Sequence, residues 1–223
     1  MKRAFEPMSL SIPVRDHLIH GDLALAHDSE AAVVFAHGSG SSRHSPRNRY
    51  VAEILQHSGI ATLLVDLLTI EEERLDRQTL NYRFDIPLLA ERLIAVTDWV
   101  HDHRSFSHLR LGYFGASTGA AAALIAAAER TSIIDAVVSR GGRADLAGKA
   151  LANVAAPTLF IVGEFDAEVL RLNREAAGVM NAQTQIRVVA GATHLFEELG
   201  ALEEVSSLAK DWFRNNLVRS HAA

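Results

Sequence analysis

The stretch Leu109-Arg-Leu-Gly-Tyr-Phe-Gly-Ala-Ser-Thr-Gly-Ala-Ala-Ala-Ala-Leu-Ile-Ala-Ala-Ala128 decides the fold. Residues 109–114 form an apolar run of strand type, and residues 116–128 form an alanine-rich helix of small side chains. Between them Gly115-Ala-Ser117-Thr-Gly119 fits the pattern G-x-S-x-G. Three fixed positions say little alone. A strand before and a helix after make them a strained turn that lifts a serine hydroxyl above a sheet edge. Side chains at the two glycines would collide with the neighbouring strand and helix. The N-terminus of the helix favours negative charge developing beside the serine. Such a turn requires a parallel sheet around it.

The flanking sequence predicts that sheet. Residues 10–14 and 18–26 read as an edge hairpin, and residues 31–36 as a strand buried on both faces. A Gly/Ser loop follows over 37–45. Ser45 before Pro46 opens a helix to about His57, and Gly59 stops it. Residues 60–65 are the next buried strand. Residues 66–83 read as a long charged connection, with Glu71, Glu72 and Glu73 on a solvated face. A helix over 84–103 carries Leu88, Leu89, Leu93, Val96 and Val100 on one face, and Tyr82 and Phe84 read as core residues ahead of pocket lining. Strands over 133–138, 158–162 and 185–189 alternate with helices over 167–180 and 201–217. Alternation of this kind implies parallel strands with right-handed crossovers, hence an α/β class chain. The expected architecture is a three-layer α/β/α sandwich on a mostly parallel central sheet. Length predicts one domain over residues 1–223. Ligands of such sheets bind at the carboxyl ends of the strands, so the chemistry belongs just after each one.

Composition narrows the classes. With 48% hydrophobic and 22% charged residues and a mean hydropathy of +0.08, the chain is globular. A net charge of −5 and no basic stripe exclude nucleic-acid binding. Without cysteine there is no disulfide, no cysteine-based zinc site and no cysteine nucleophile, in keeping with a reducing cytoplasm. No apolar run follows the basic residues within 1–13, so no secretory signal is expected. Residues 60–68 fall well short of the roughly 20 apolar residues a bilayer needs, so no membrane is expected. His101 and His103 cannot share a helix face, so no metal is expected. Gly38-Ser-Gly40 has Arg43 where a dinucleotide loop needs its third glycine, and no cofactor is expected.

A serine hydroxyl needs a base, and the base needs an acid. Ser117 is the candidate nucleophile. His194, in Gly191-Ala-Thr-His194 after the last strand, is the only one of 11 histidines in the right place for the base. Asp166, in Gly163-Glu-Phe-Asp166, is the candidate acid, with Glu164 and Asp145 as rivals. The backbone N–H of Thr118 and that of Ser39 would receive the oxyanion, with Gly38 the neighbouring possibility. Taken singly, these residues also read as a buried serine, a surface histidine and a flexible glycine loop. Three roles after three successive strands, in the order serine, acid, histidine, outweigh those readings. Arg140 and Arg143 bracket two glycines after a strand. They read equally as binders of a substrate carboxylate or phosphate and as salt bridges to the acidic segment 66–76. Arg43, His44, Arg47 and Arg49, beside the oxyanion loop, read as solvated helix-start residues ahead of cations that favour anionic substrates, and Leu195 and Phe196 as pocket wall or core.

Together, His37-Gly38-Ser39-Gly40, Gly115-Ala-Ser117-Thr-Gly119, Gly163-Glu-Phe-Asp166 and Gly191-Ala-Thr-His194 resemble the dienelactone hydrolase-like branch of the α/β-hydrolases, over about residues 18–217. The resemblance implies an α/β-hydrolase fold without a large cap domain. It also implies cleavage of an ester, lactone or related acyl bond through an acyl-enzyme. Dienelactone hydrolase itself has a cysteine where Ser117 stands, which moves the expectation from dienelactone to general ester or acyl chemistry. Similar proteins also occur joined to phosphoribosyltransferase-like domains; no phosphoribosyl-diphosphate loop is visible here. The expected partner is a small-molecule ester, and a homodimer is left open. The alternatives are an idle triad on a binding scaffold, and an acyltransferase or perhydrolase using the same residues.

Overall fold

A computed structural model describes residues 6–26 and 28–218. The absence of a signal over 1–13 is therefore read partly on residues outside that set. Eight strands form one sheet in the order β1-β2-β4-β3-β5-β6-β7-β8. They are β1 (Met8–Val14), β2 (His17–Ala24), β3 (Ala31–Ala36), β4 (Ala61–Val65), β5 (Arg110–Ala116), β6 (Ile134–Arg140), β7 (Thr158–Gly163) and β8 (Thr184–Val189). β1 and β2 are an antiparallel pair at one edge, and all pairings from β4 across to β8 are parallel. The connection after β3 goes to one side, to β4, and β5 returns on the other. The strand order thus reverses between β3 and β5, where a crevice opens.

Period-2 alternation sorts the strand side chains into two cores. Val34, Leu63, Leu111, Tyr113 and Phe160 face one layer; Val33, Phe35, Leu64, Phe114 and Ile161 face the other. Helices α1 (Pro46–His57) and α6 (Ala201–Leu217) cover the second face. Helices α3 (Ile86–Asp102), α4 (Thr118–Glu129) and α5 (Ala167–Val179) cover the first. Caps set the starts: the Ser45 side chain accepts from Asn48 N ahead of Pro46, and Asp85 accepts from Leu88 N.

The structure departs from expectation in four places. The charged connection contains helix α2 (Ile70–Thr79), whose only buried residue is Asp76. It forms through a capping box, with Glu72 N donating to Thr69 Oγ1 and Thr69 N donating to the Glu72 carboxylate, and not through an apolar stripe. Phe84, expected in the core, is 58% exposed, because α3 begins two residues later than expected. Residues Ala144–Asn153 form a 3₁₀ segment kinked at Gly148, whose φ is 53°. Finally, β6 runs on to Arg140, which puts that residue in the sheet and not in a loop. Among the described residues no helix is long and apolar enough to cross a membrane.

Candidate active site

The chain leaves β5 through a tight turn into α4, and Ser117 sits at its apex with φ 50° and ψ −121°. That left-handed backbone costs a non-glycine residue about 1–3 kcal/mol, and it persists only where the surroundings over-determine it. They do so here. A Cβ on Gly115 would lie 2.4 Å from Ala120 Cα, and one on Gly119 would lie 2.3 Å from the His37 carbonyl oxygen. Ser117 N donates to Arg140 O (3.2 Å), and Ser117 O accepts from Arg143 N (3.0 Å) and Ala120 N (3.1 Å). Ser117 makes no capping hydrogen bond, so its hydroxyl is left for other work. Thr118 is buried as the first residue of α4, where a helix N–H has no intrahelical acceptor.

Asp166 follows β7 and His194 follows β8. His194 Nδ1 lies 2.6 Å from Asp166 Oδ2. An ionised carboxylate only accepts, so Nδ1 carries the proton and Nε2 is left as the basic nitrogen. Asp166 opens α5 without capping it, so its carboxylate is committed to the imidazole. Close backbone approach makes the pair possible. A Cβ on Gly163 would lie 2.4 Å from Ala192 O, and Phe165 N donates to Ala192 O at 2.9 Å. Gly141 underlies the ring: a Cβ there would be 3.4 Å from His194 Nδ1 and Cε1. The rival carboxylates lie elsewhere. Glu164 accepts from Gly191 N (2.7 Å), bracing the histidine loop, and Asp145 is held by Arg143. Ser117 and His194 line one open cleft of about 230 Å³, together with Gly38, Ser39, Arg47, Arg140 and Leu195. No hydrogen bond joins Ser117 to His194 among the described residues; such bonds are commonly loose until a substrate closes them.

The loop after β3 completes the cleft wall. A Cβ on Gly38 would lie 3.1 Å from Ser117 Cβ, and Ser39 is exposed at the cleft. His37, which carries no role in the sequence reading, anchors this loop. Its Nε2 accepts from Leu67 N (3.1 Å), so Nδ1 must hold the proton that is donated to Gly38 O (2.9 Å). Burial pushes its pKa below the usual 6.5, keeping it neutral. The available signal was a polar residue directly after a fully buried strand.

Arg140 and Arg143 separate. Arg140 is 7% exposed and lines the cleft, with its guanidinium carbon 5.8 Å from the Phe196 ring centroid. Burial, reinforced by the charge of Arg47, pushes its pKa down to about 10. Arg143 is not among the cleft-lining residues; it grips Asp145 with a two-pronged bond of 2.9 and 2.8 Å. Neither pairs with segment 66–76: Asp66 is taken by Arg43 and Asp76 by Arg83. The helix-start cations are more than solvated. Arg43 and Arg49 converge on Asp22, and Arg47 reaches Glu197 at 2.8 Å. Leu195 lines the cleft and Phe196 is core.

The strand order, the serine turn at the reversal point and the Asp–His pair at the following strand ends define an α/β-hydrolase fold. No protein-family model matches the sequence. A solved structure of dienelactone hydrolase from Anabaena variabilis is 51% identical, with a TM-score of 0.93, over 95% of this chain and 99% of that one. The chain thus belongs to the dienelactone hydrolase-like family of the α/β-hydrolases. Est1E from Butyrivibrio proteoclasticus shares the fold at 15% identity and TM-score 0.77, over 93% of this chain and 98% of that one. A curated protein of Mycobacterium tuberculosis named "Putative phosphoribosyl transferase" is 57% identical over 199 residues, 89% of this chain. The chain spans 44% of that relative's length.

Proposed function

We propose that the chain is a serine hydrolase that cleaves a carboxylic ester, lactone or related acyl bond of a small molecule. The observation that carries this reading is the strained, uncapped Ser117 facing the same cleft as an imidazole whose Nδ1 is fixed by Asp166. Ser117 Oγ attacks the carbonyl carbon while its proton passes to His194 Nε2. The carbonyl oxygen becomes an oxyanion received by Thr118 N–H and Ser39 N–H. Collapse expels the alcohol, which takes the proton from His194 and leaves an acyl-enzyme. Water then attacks that ester and gives a proton to His194, and Ser117 leaves with it as the acid is released. Asp166 stabilises the imidazolium in both halves. The transferase activity in the name of the curated relative belongs to a protein of which this chain spans 44%, and it is not carried over to this chain.

Ser117→Ala tests the reading. Hydrolysis of a short p-nitrophenyl ester should fall by about 10⁴-fold or more while circular dichroism is unchanged. A fluorophosphonate probe should label the wild type and not the variant. Undiminished turnover by Ser117→Ala would end the proposal.

A further inference from the structure

Nothing in that reaction uses the guanidinium of Arg140, yet it stands in the same cleft. The residue is more than nine-tenths buried. Its Nε and Nη1 have no hydrogen-bond partner, and no carboxylate pairs with it among the described residues. Other arginines with little exposed side chain are neutralised: Arg43 by Asp66, Arg83 by Asp76 and Arg92 by Glu72. Arg140 has only the face of Phe196, and a second cation, Arg47, on the same wall. A ring face does not replace the hydration that a buried cation loses. The missing compensation must come from the open side, where the cleft is.

The backbone ties this cation to the reacting atoms. Arg140 O accepts from Ser117 N at 3.2 Å, and the next residue, Gly141, underlies the His194 ring. Arg140, Ser117 and His194 line one cleft of about 230 Å³, so a single small molecule in it can meet all three. Arg143 offers no competing subsite, because Asp145 occupies its fork.

We propose that Arg140 is the specificity-determining residue of an anion subsite, so that the preferred acyl substrate carries a carboxylate or phosphate a few bonds from the carbonyl attacked by Ser117. The substituent accepts hydrogen bonds from the part of the Arg140 guanidinium that lines the cleft, and Arg47, itself paired with Glu197, stands on the same wall. The inference rests on the hydrolase reading and specifies its substrate class.

Three esters of equal spacer length test it: p-nitrophenyl hexanoate, mono-p-nitrophenyl adipate and p-nitrophenyl 5-phosphonopentanoate. At low ionic strength the wild type should favour an anionic ester over the neutral one in kcat/KM, mainly through KM. The two anionic arms show whether carboxylate or phosphate is the better fit. Arg140→Gln should lower the anionic-to-neutral ratio roughly ten- to a hundredfold. Arg140→Lys, which keeps the charge but not the planar fork, should lower it less, and it decides the matter if the Gln variant fails to fold. A wild type without anionic preference, or a preference that survives both substitutions, overturns the proposal. A second readout needs no turnover: millimolar adipate or 5-phosphonopentanoate should raise the melting temperature of Ser117→Ala, and not that of Ser117→Ala with Arg140→Gln. If no ester is cleaved while that Arg140-dependent shift persists, the subsite stands and the hydrolase reading falls. If the neutral ester is cleaved by a Ser117-dependent route with neither shift nor preference, the subsite falls and the hydrolase reading stands.

Discussion

Two turns meet beside the Ser117 hydroxyl, and they are held by opposite means. The turn over 115–119 and the loop over 37–41 leave neighbouring parallel strands in register, with Ala36 opposite Gly115. The first is fixed by exclusion: its two glycines face backbone atoms that admit no Cβ, and its serine is locked in a disfavoured backbone by three main-chain hydrogen bonds. The second is fixed by attraction, through one buried imidazole bridging Gly38 O and Leu67 N. Steric exclusion is indifferent to pH. A histidine bridge is not. The candidate nucleophile and the candidate oxyanion donors should therefore fail under different perturbations.

Gly119→Ala strikes where the two turns touch, and it should have the largest effect on stability. The new methyl would lie 2.3 Å from His37 O and 2.4 Å from Ala36 O, both backbone atoms at the end of a central strand. Neither can yield without moving the sheet. A loss of about 3 kcal/mol or more is expected, read as a lower urea midpoint. A loss under about 1 kcal/mol would mean that exclusion does not fix the turn.

His37→Ala removes the attraction instead. It leaves Leu67 N without its partner and Gly38 O with Ser41 N alone, at a cost of about 2 kcal/mol, and should slow labelling of Ser117 by a fluorophosphonate. The wild type should show the same dependence through pH. Burial holds the His37 pKa below its unfolded value of 6.5, so the bridge contributes in full above that pH and is lost progressively as the pH falls beneath it. The stability gap between wild type and His37→Ala should narrow on the acid side. A gap constant from pH 8 to pH 5 would show that the bridge is not set by the neutral imidazole.

The same contrast explains what the sequence disclosed. Exclusion leaves a local mark: glycines at fixed spacing between an apolar strand and a helix of small residues are visible without a structure. Apolar runs bounded by Ser, Pro and Gly likewise located β3 over 31–36 and α6 over 201–217. The approach of Asp166 to His194 follows from their places after adjacent strands. Attraction leaves almost no mark. The partners of His37 and the emptiness around Arg140 are tertiary facts. Ser139-Arg-Gly-Gly-Arg143 reads as a polar loop because nothing local shows that β6 continues to Arg140. Helix α2 has no apolar stripe for periodicity to find, although Thr69-x-x-Glu72 did carry a capping signature.

A pair of glycine exchanges separates strain from contact with the smallest expected effect. Ser117 holds φ 50°, so Ser117→Gly relieves about 1–3 kcal/mol of backbone strain while loosening the unfolded chain by about 0.5–1 kcal/mol. The net expectation is a gain near 1 kcal/mol in an inactive protein. Ser117→Ala keeps the strained backbone and should leave stability nearly unchanged, so the Ala-to-Gly difference isolates the strain. Gly40, with φ 70°, lies in the attraction-held loop, and Gly40→Ala should cost about 1 kcal/mol. Its new methyl meets the Arg83 guanidinium, with Nη1 at 3.0 Å, and no backbone atom, so the cost is conformational plus a small shift of a side chain that Asp76 holds. Opposite signs of similar size at the two positions would show that strain is stored at the candidate nucleophile and not at Gly40. A Ser117→Gly variant no more stable than Ser117→Ala would mean that the turn is relaxed and that its neighbours merely fit it.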